Sequence, residues 1–263
     1  VKVRAGNLIE RIVAQGTLHC RTHVDVDPVL GLENPDGVLA AQERYRDAIS
    51  IQIVAFPQSG VISCPGTLAV MKAEDMVVCD TEGFLVEGRP GLTQCSEIKI
   101  HSCIYKTQPQ VNSVVHVHPR YTVLLSVLGV TIVPMCQEGA PLVRNPLKVY
   151  PHVKTIQTDE EGMDLATLMG SDKAILMQGH GAVTTGKDLE ESVTAMLQLE
   201  EQARMNYLAY SAAGRDYPKI PLGLVDAMSN RTPLHELPHF RDVLQGKEPQ
   251  RGGIWAYRVA RVS

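Results

Sequence analysis

Between residues 111 and 119, valines at 111, 114, 115 and 117 alternate with or flank His116 and His118, and the run stops at Pro119. Side chains alternate faces along a strand, so this pattern predicts a strand carrying both imidazoles on one face at its end. Apolar runs of strand character also occur in "TLHCRTHVDVDP", "SIQIVAF", "GVISC" and "TIVPMC", and "DMVVCDTEGFLVEG" has the form of a hairpin around Thr81-Glu82-Gly83. Helical spacing predicts helices over about 38–48, 96–106 and 119–128. Thr158 and Glu161 stand at capping-box spacing before "GMDLATLMG", which predicts a helix start there. The longest helix is expected over 188–213, with Leu189, Val193, Met196, Leu197, Ala203, Tyr207 and Leu208 on a helical repeat and Gly214 as its stop. Its acidic opening, Asp188, Glu190 and Glu191, suits the helix dipole, and it reads as a packing helix with a solvated charged face. Two short helices punctuated by proline follow Pro218, and the last stretch reads "GGIWAYRVARV".

Strands and helices alternate from about 60 to 214 without a clear linker, which implies one α/β domain. The hairpins make its sheet mixed and largely antiparallel. The expected organisation is an atypical segment over 1–61 packed on the main domain, the domain itself over 62–215, and a helical tail over 216–263.

The 263 residues carry a net charge of −4, and no polybasic stripe interrupts them, so nucleic acid and anionic membrane are not expected partners. Six cysteines are scattered without a CxxC pair, so neither a zinc ribbon nor a compact disulfide framework is indicated, and reduced, mostly buried thiols are the simpler reading. No apolar run approaches the ~18 residues of a spanning helix and no signal-peptide pattern is seen, so a cytoplasmic protein is expected.

A third histidine changes the meaning of the first two. In "AILMQGHGAVTTGKDLEES" an apolar run ends in Gly179-His180-Gly181, where glycines on both sides allow close backbone approach around an imidazole at a turn. Imidazoles in apolar surroundings need partners, and one shared cation would serve all three. Histidines on a solvated strand face are the alternative, and only the fold can bring His180 to the other two.

The segments "EDMVVCDTEGFLVEG", "SEIKIHSCIYKTQPQVNSVVHVHPRYTVLLSVLG" and "AILMQGHGAVTTGKDLEESVTAMLQLEEQAR", over about 62–214, resemble the class II aldolase/adducin family. The resemblance implies a three-layer α/β/α class II aldolase-like domain with a mixed, largely antiparallel central sheet, assembled as a homotetramer with sites at subunit interfaces. It implies one divalent metal per subunit on His116, His118 and His180, with Zn2+ foremost and Mn2+ or Co2+ as alternatives. Glu97 matches the family's acidic residue, a metal contact or general acid/base, although a glutamate at a helix start also serves as a cap and dipole partner.

Where sugar-phosphate members of that family hold phosphate, this chain departs: Cys95-Ser96 stands where they have two serines, and the turn region reads "SCPGT". Several segments look closer to members that decarboxylate hydroxylated aromatic acids. The implied function is therefore a metal-dependent carbon–carbon lyase, a decarboxylase of a hydroxylated aromatic acid working through an enediolate-like intermediate. Aldol cleavage or epimerisation of a sugar or sugar phosphate is the runner-up, and a non-catalytic adducin-like binding protein comes third. Ser96, Arg120 and Arg144 are the candidate substrate contacts, the arginines as bidentate carboxylate clamps. Tyr207, Tyr210, Tyr217, His152, His235 and His239 are candidate proton donors or supporting groups. Residues about 15–62 resemble instead a segment of the cytosine deaminase branch of the amidohydrolases, a barrel this chain is too short to hold beside the aldolase-like part. No amidohydrolase ligand set accompanies it, so His19, His23 and Asp25 are given structural or surface roles.

Overall fold

The computed structural model describes residues 2–15, 19–25, 33–56 and 76–245. They group into two compact units, the first comprising the described residues up to Lys106 together with Ile156–Gly162, the second Thr107–Thr155 and the described residues from Met163 onward. The expected strand "GVISC" and the stretch "GGIWAYRVARV" lie outside the described residues.

The first unit opens with α1 (Lys2–Ala14), an element the sequence pattern did not suggest, followed by β1 (His19–Asp25), α2 (Glu33–Arg44) and β2 (Ser50–Phe56). The two strands pair in parallel from His19 opposite Ser50 to Asp25 opposite Phe56, with α2 as the crossover that parallel strands require. Ile9, Ala41 and Ile49 form a small core between α1 and α2, flanked by Tyr45, whose hydroxyl donates to Glu10 at 2.5 Å. The predicted hairpin forms as β3 (Val78–Cys79) and β4 (Leu85–Glu87). Asp80 closes its turn, one carboxylate oxygen accepting the N–H groups of Glu82 and Phe84 at 2.9 and 2.8 Å. Next comes α3 (Ile98–Thr107), within two residues of its expected bounds. Thr158 and Glu161 form the expected capping box, the Thr158 hydroxyl accepting from the Glu161 N–H while the Glu161 carboxylate accepts from the Thr158 N–H, each at 3.3 Å.

The second unit is built on a four-stranded sheet. Its strands are β5 (Ser113–Val117), β6 (Val149–Tyr150), β7 (Ala174–Met177) and β8 (Gly181–Gly186), in the order β5-β8-β7-β6. The β5–β8 and β8–β7 pairs are antiparallel and β7–β6 is parallel, so the sheet is mixed and largely antiparallel as expected. Every residue of β7 and β8 is buried, which is why "AILM" reads as an unbroken apolar run rather than an alternating one. Helices α4 (Arg120–Leu128) and α6 (Leu189–Ala213) pack on one another, with α4 also against β7 and α6 against β8 and β5. Helix α5 (Asp159–Met169) precedes β7, and α7 (Leu222–Ser229), a short 3-10 turn at Leu234–Glu236 and α8 (Pro238–Leu244) follow α6.

Three expectations need correction. The stretch "TIVPMC" is not a strand. Its backbone is held instead by two buried amides of α6: Gln202 accepts from the Met135 N–H (2.9 Å) and donates to the carbonyls of Cys136 and Glu138 (2.8 and 2.6 Å). Asn206 likewise accepts from the Val133 N–H and donates to its carbonyl, at 3.0 and 2.8 Å. Helix α6 itself keeps its predicted bounds, with Asp188 capping the Glu191 N–H at 2.7 Å and Gly214 ending it at positive φ. Its repeat is less apolar than the pattern implies, because Leu189 and Leu208 are exposed while Ser192, Gln202 and Asn206 are fully buried. Burying three polar side chains is tolerable only because each is hydrogen-bonded, Ser192 to Ser113 at 2.6 Å. The cysteines also differ from expectation: Cys103 is buried, Cys95 is exposed, and Cys79 and Cys136 are intermediate, all four unbridged.

Candidate metal centre

Within the second unit, β5 places His116 in its ladder and sends His118 just past its end. The β7–β8 hairpin carries His180 in the turn between Met177 and Gly181, which pair across it. Pairing of β5 with β8 then sets Val117 opposite Ala182, so the turn and the strand end lie side by side. The three rings converge with centroids 5.1 Å (His116 to His118), 5.2 Å (His116 to His180) and 4.9 Å (His118 to His180) apart. A ligand nitrogen from each lies within 4.8 Å of the others. The fold thus does for His180 what the sequence could only suggest.

Two details of the local chemistry fit a cation here. The Nδ1 of His116 faces the Ala182 carbonyl oxygen at 3.1 Å. A carbonyl only accepts, so Nδ1 carries the proton and Nε2 holds the lone pair a metal needs, the usual tautomer of a ligating histidine. The second detail is Gly181, where a Cβ would lie 2.6 Å from the Val117 carbonyl oxygen, 2.9 Å from His118 Cδ2 and 3.0 Å from His116 Cε1. Only a residue without a side chain lets the hairpin close on the two imidazoles. Neutral imidazoles leave a divalent cation its full charge, and three of them leave coordination positions open to a substrate.

We expect Gly181→Ala to cost about 1–3 kcal/mol of stability, as overpacking against backbone does. It should also reduce bound metal below one per chain, checked by denaturant unfolding and elemental analysis together. Full metal occupancy in a stable Gly181→Ala protein would remove this steric role.

The other candidates divide. Glu97 belongs to the first unit, immediately before α3, where one carboxylate oxygen accepts from the Ile156 N–H at 3.2 Å. Ser96 is its neighbour, half-buried. Arg120 opens α4, exposed, two residues beyond His118. Arg144 already grips a carboxylate: its Nε and Nη2 donate to the two oxygens of Asp226 at 2.5 and 2.8 Å, tying the 144 loop to α7. This pair holds Asp226 below the usual carboxylate range through its hydrogen bonds to the guanidinium. The intramolecular partner lies 82 residues away, too far for spacing to reveal. Among the proton-donor candidates, Tyr217 uses its hydroxyl on Asn206 at 2.5 Å and His152 stacks edgewise on Tyr150. His19, His23 and Asp25 lie on β1.

Two contributors had no sequence signal. Ser126 is a lone hydroxyl inside the apolar stretch of α4, and Glu200 is one of several acids on α6. Ser126 bonds the turn that carries His180, and Glu200 bonds the first turn of the helix that follows His118.

Residues 49–207 match the model of the Class II Aldolase and Adducin N-terminal domain. The chain belongs to this family. The match begins earlier than the resemblance seen in the sequence and takes in β2, within the stretch that looked deaminase-like. Class II aldolases use a divalent metal, in accord with the histidine set. The 3,4-dihydroxyphthalate decarboxylase of Rhodococcus jostii is 27% identical over 171 residues, which cover 64% of this chain and 64% of that protein. The match therefore spans just under two thirds of that relative's length. An L-fuculose phosphate aldolase of Methanococcus maripaludis is 28% identical over 143 residues, covering 54% of this chain and 74% of the other. An aldolase II superfamily protein from Pseudomonas syringae shares the class II fold with a TM-score of 0.57 at 18% identity, over 73% of this chain and 72% of that one. Among the described residues, no helix is long and apolar enough to cross a membrane.

Proposed function

We propose that this protein is a metal-dependent carbon–carbon lyase that decarboxylates a hydroxylated aromatic carboxylic acid. The observation that carries the reading is the convergence of His116, His118 and His180 around the Gly181 gap, in a chain similar to a 3,4-dihydroxyphthalate decarboxylase. A bound divalent cation would supply Lewis acidity, drawing electron density toward the substrate oxygens beside the departing carboxylate. The three imidazoles hold and orient it. Glu97 joins them in this reading, and its carboxyl group supplies the proton that replaces carbon dioxide on the ring carbon. Ser96 contacts the substrate, and Arg120 holds a second carboxylate with its planar guanidinium. With its guanidinium on Asp226, Arg144 is the weaker of the two arginine candidates and has to exchange partners to take part. Zinc is the first choice of metal, with manganese or cobalt as alternatives, and the assembly is a homotetramer with the site at a subunit interface.

The test is carbon dioxide release from a panel of ortho-hydroxylated aromatic dicarboxylic acids by protein loaded with zinc or manganese. Release that stops on adding a chelator is the expected result, and Arg120→Ala should raise KM roughly tenfold or more with kcat less affected. An unchanged KM removes Arg120 as the clamp. Stoichiometric metal without release overturns decarboxylation in favour of aldol cleavage of a sugar or sugar phosphate, a reading supported by the similarity to L-fuculose phosphate aldolase. Absence of both metal and release supports an adducin-like, non-catalytic role.

A further inference from the structure

His118 and His180 are the two ligand candidates that no strand ladder fixes, one beyond the end of β5 and exposed, the other in a hairpin turn. Both are reached from α4. This helix begins directly after His118-Pro119, and Pro119 stands at its N-cap without a side chain able to cap it. The carboxylate of Glu200 on α6 does so instead, accepting from the N–H groups of Tyr121 and Thr122 at 2.9 and 3.0 Å and from the Thr122 hydroxyl at 2.9 Å. Thr122 is fully buried, and an anion at the first turn is favoured by the helix dipole as well as by the bonds.

One turn further along α4, Ser126 is buried and donates to the Val123 carbonyl at 2.6 Å. Its oxygen also accepts the N–H of Gly179 at 3.0 Å. Gly179 is at φ +66°, a conformation that glycine adopts without strain and that sets the turn leading into His180. Helix α4 therefore fastens the approach to His118 at one end and the turn of His180 further along, while Glu200 anchors it to α6.

We propose that Ser126 and Glu200 are positioning residues that hold His118 and His180 in register before any metal binds. This rests on the three-histidine centre proposed above. Supporting contacts around metal ligands typically change affinity by ~10–100-fold. A purely structural role would instead lower the stability of metal-free and metal-loaded protein alike.

The experiment titrates zinc, and separately manganese, into the metal-free full chain against a chromophoric chelator, and records thermal unfolding with and without metal. It compares wild type, Ser126→Ala, Ser126→Thr and Glu200→Gln. Ser126→Ala and Glu200→Gln should each weaken metal binding by ~10–100-fold. They should shrink the metal-induced rise in Tm, because that rise follows the ratio of metal concentration to Kd. Ser126→Thr, which keeps the hydroxyl, should restore most of both. If Ser126→Ala does not fold, the near-isosteric Glu200→Gln carries the same comparison. Wild-type affinity and an undiminished Tm rise in the variants overturn this inference and leave the metal centre standing. A wild-type chain that binds neither metal overturns both.

Discussion

Replacing His180 with alanine should abolish stoichiometric metal binding and take the proposed carbon–carbon lyase activity with it. Its ring is one of three within 5.2 Å of one another, and the other two would remain as a pair on one strand end. Two imidazoles hold a divalent cation far less firmly than three, so the loss should exceed the ~10–100-fold that a supporting contact is worth. Elemental analysis after dialysis, run beside the activity assay, measures both. A His180→Ala protein that keeps one metal per chain would show that the turn is not a ligand, and the proposed centre would then have to be redrawn around the β5 pair alone.

Glu97→Gln should separate binding from chemistry. Glutamine keeps the size of the side chain and one oxygen acceptor for the Ile156 N–H, but it cannot carry a proton. Turnover should fall by about 10²–10⁴-fold, the usual contribution of a positioned acid or base, while most of the metal stays bound. Loss of metal in proportion to activity would make Glu97 a ligand first. An unchanged rate would remove it from the mechanism, leaving the proton donor to be sought elsewhere.

Much of the site was legible because it is local. The alternate histidines at the end of β5, the Gly-His-Gly turn and the start of α4 after Pro119 are each written in fewer than ten consecutive residues, and the structure has all three, with the strand ending one residue short of His118. The caps of α5 and α6 were legible for the same reason, since a side chain three positions away decides them. What spacing could not express is a bond between distant residues. Gln202 and Asn206 hold another segment's backbone, and nothing in their own sequence neighbourhood marks them for it. The same blindness applies to Arg144, whose Asp226 partner makes an apparent anion clamp a structural link, and to Glu200, whose function as a cap lies on a helix other than its own. "TIVPMC" has the composition of a strand, yet the Val133 and Met135 N–H groups bond to side-chain amides of α6 rather than to a neighbouring strand, so composition missed the geometry.

Those amides bear on the order in which the chain assembles. The 131–138 segment has contacts that span 64–73 residues and end on a helix made much later in synthesis. A strand can be templated by whichever neighbour has already folded. This segment has to wait for α6. Without Gln202 and Asn206 in place the backbone amides of Val133 and Met135 lack these bonds, so the onset of their protection from hydrogen exchange is expected to time the docking of the long helix.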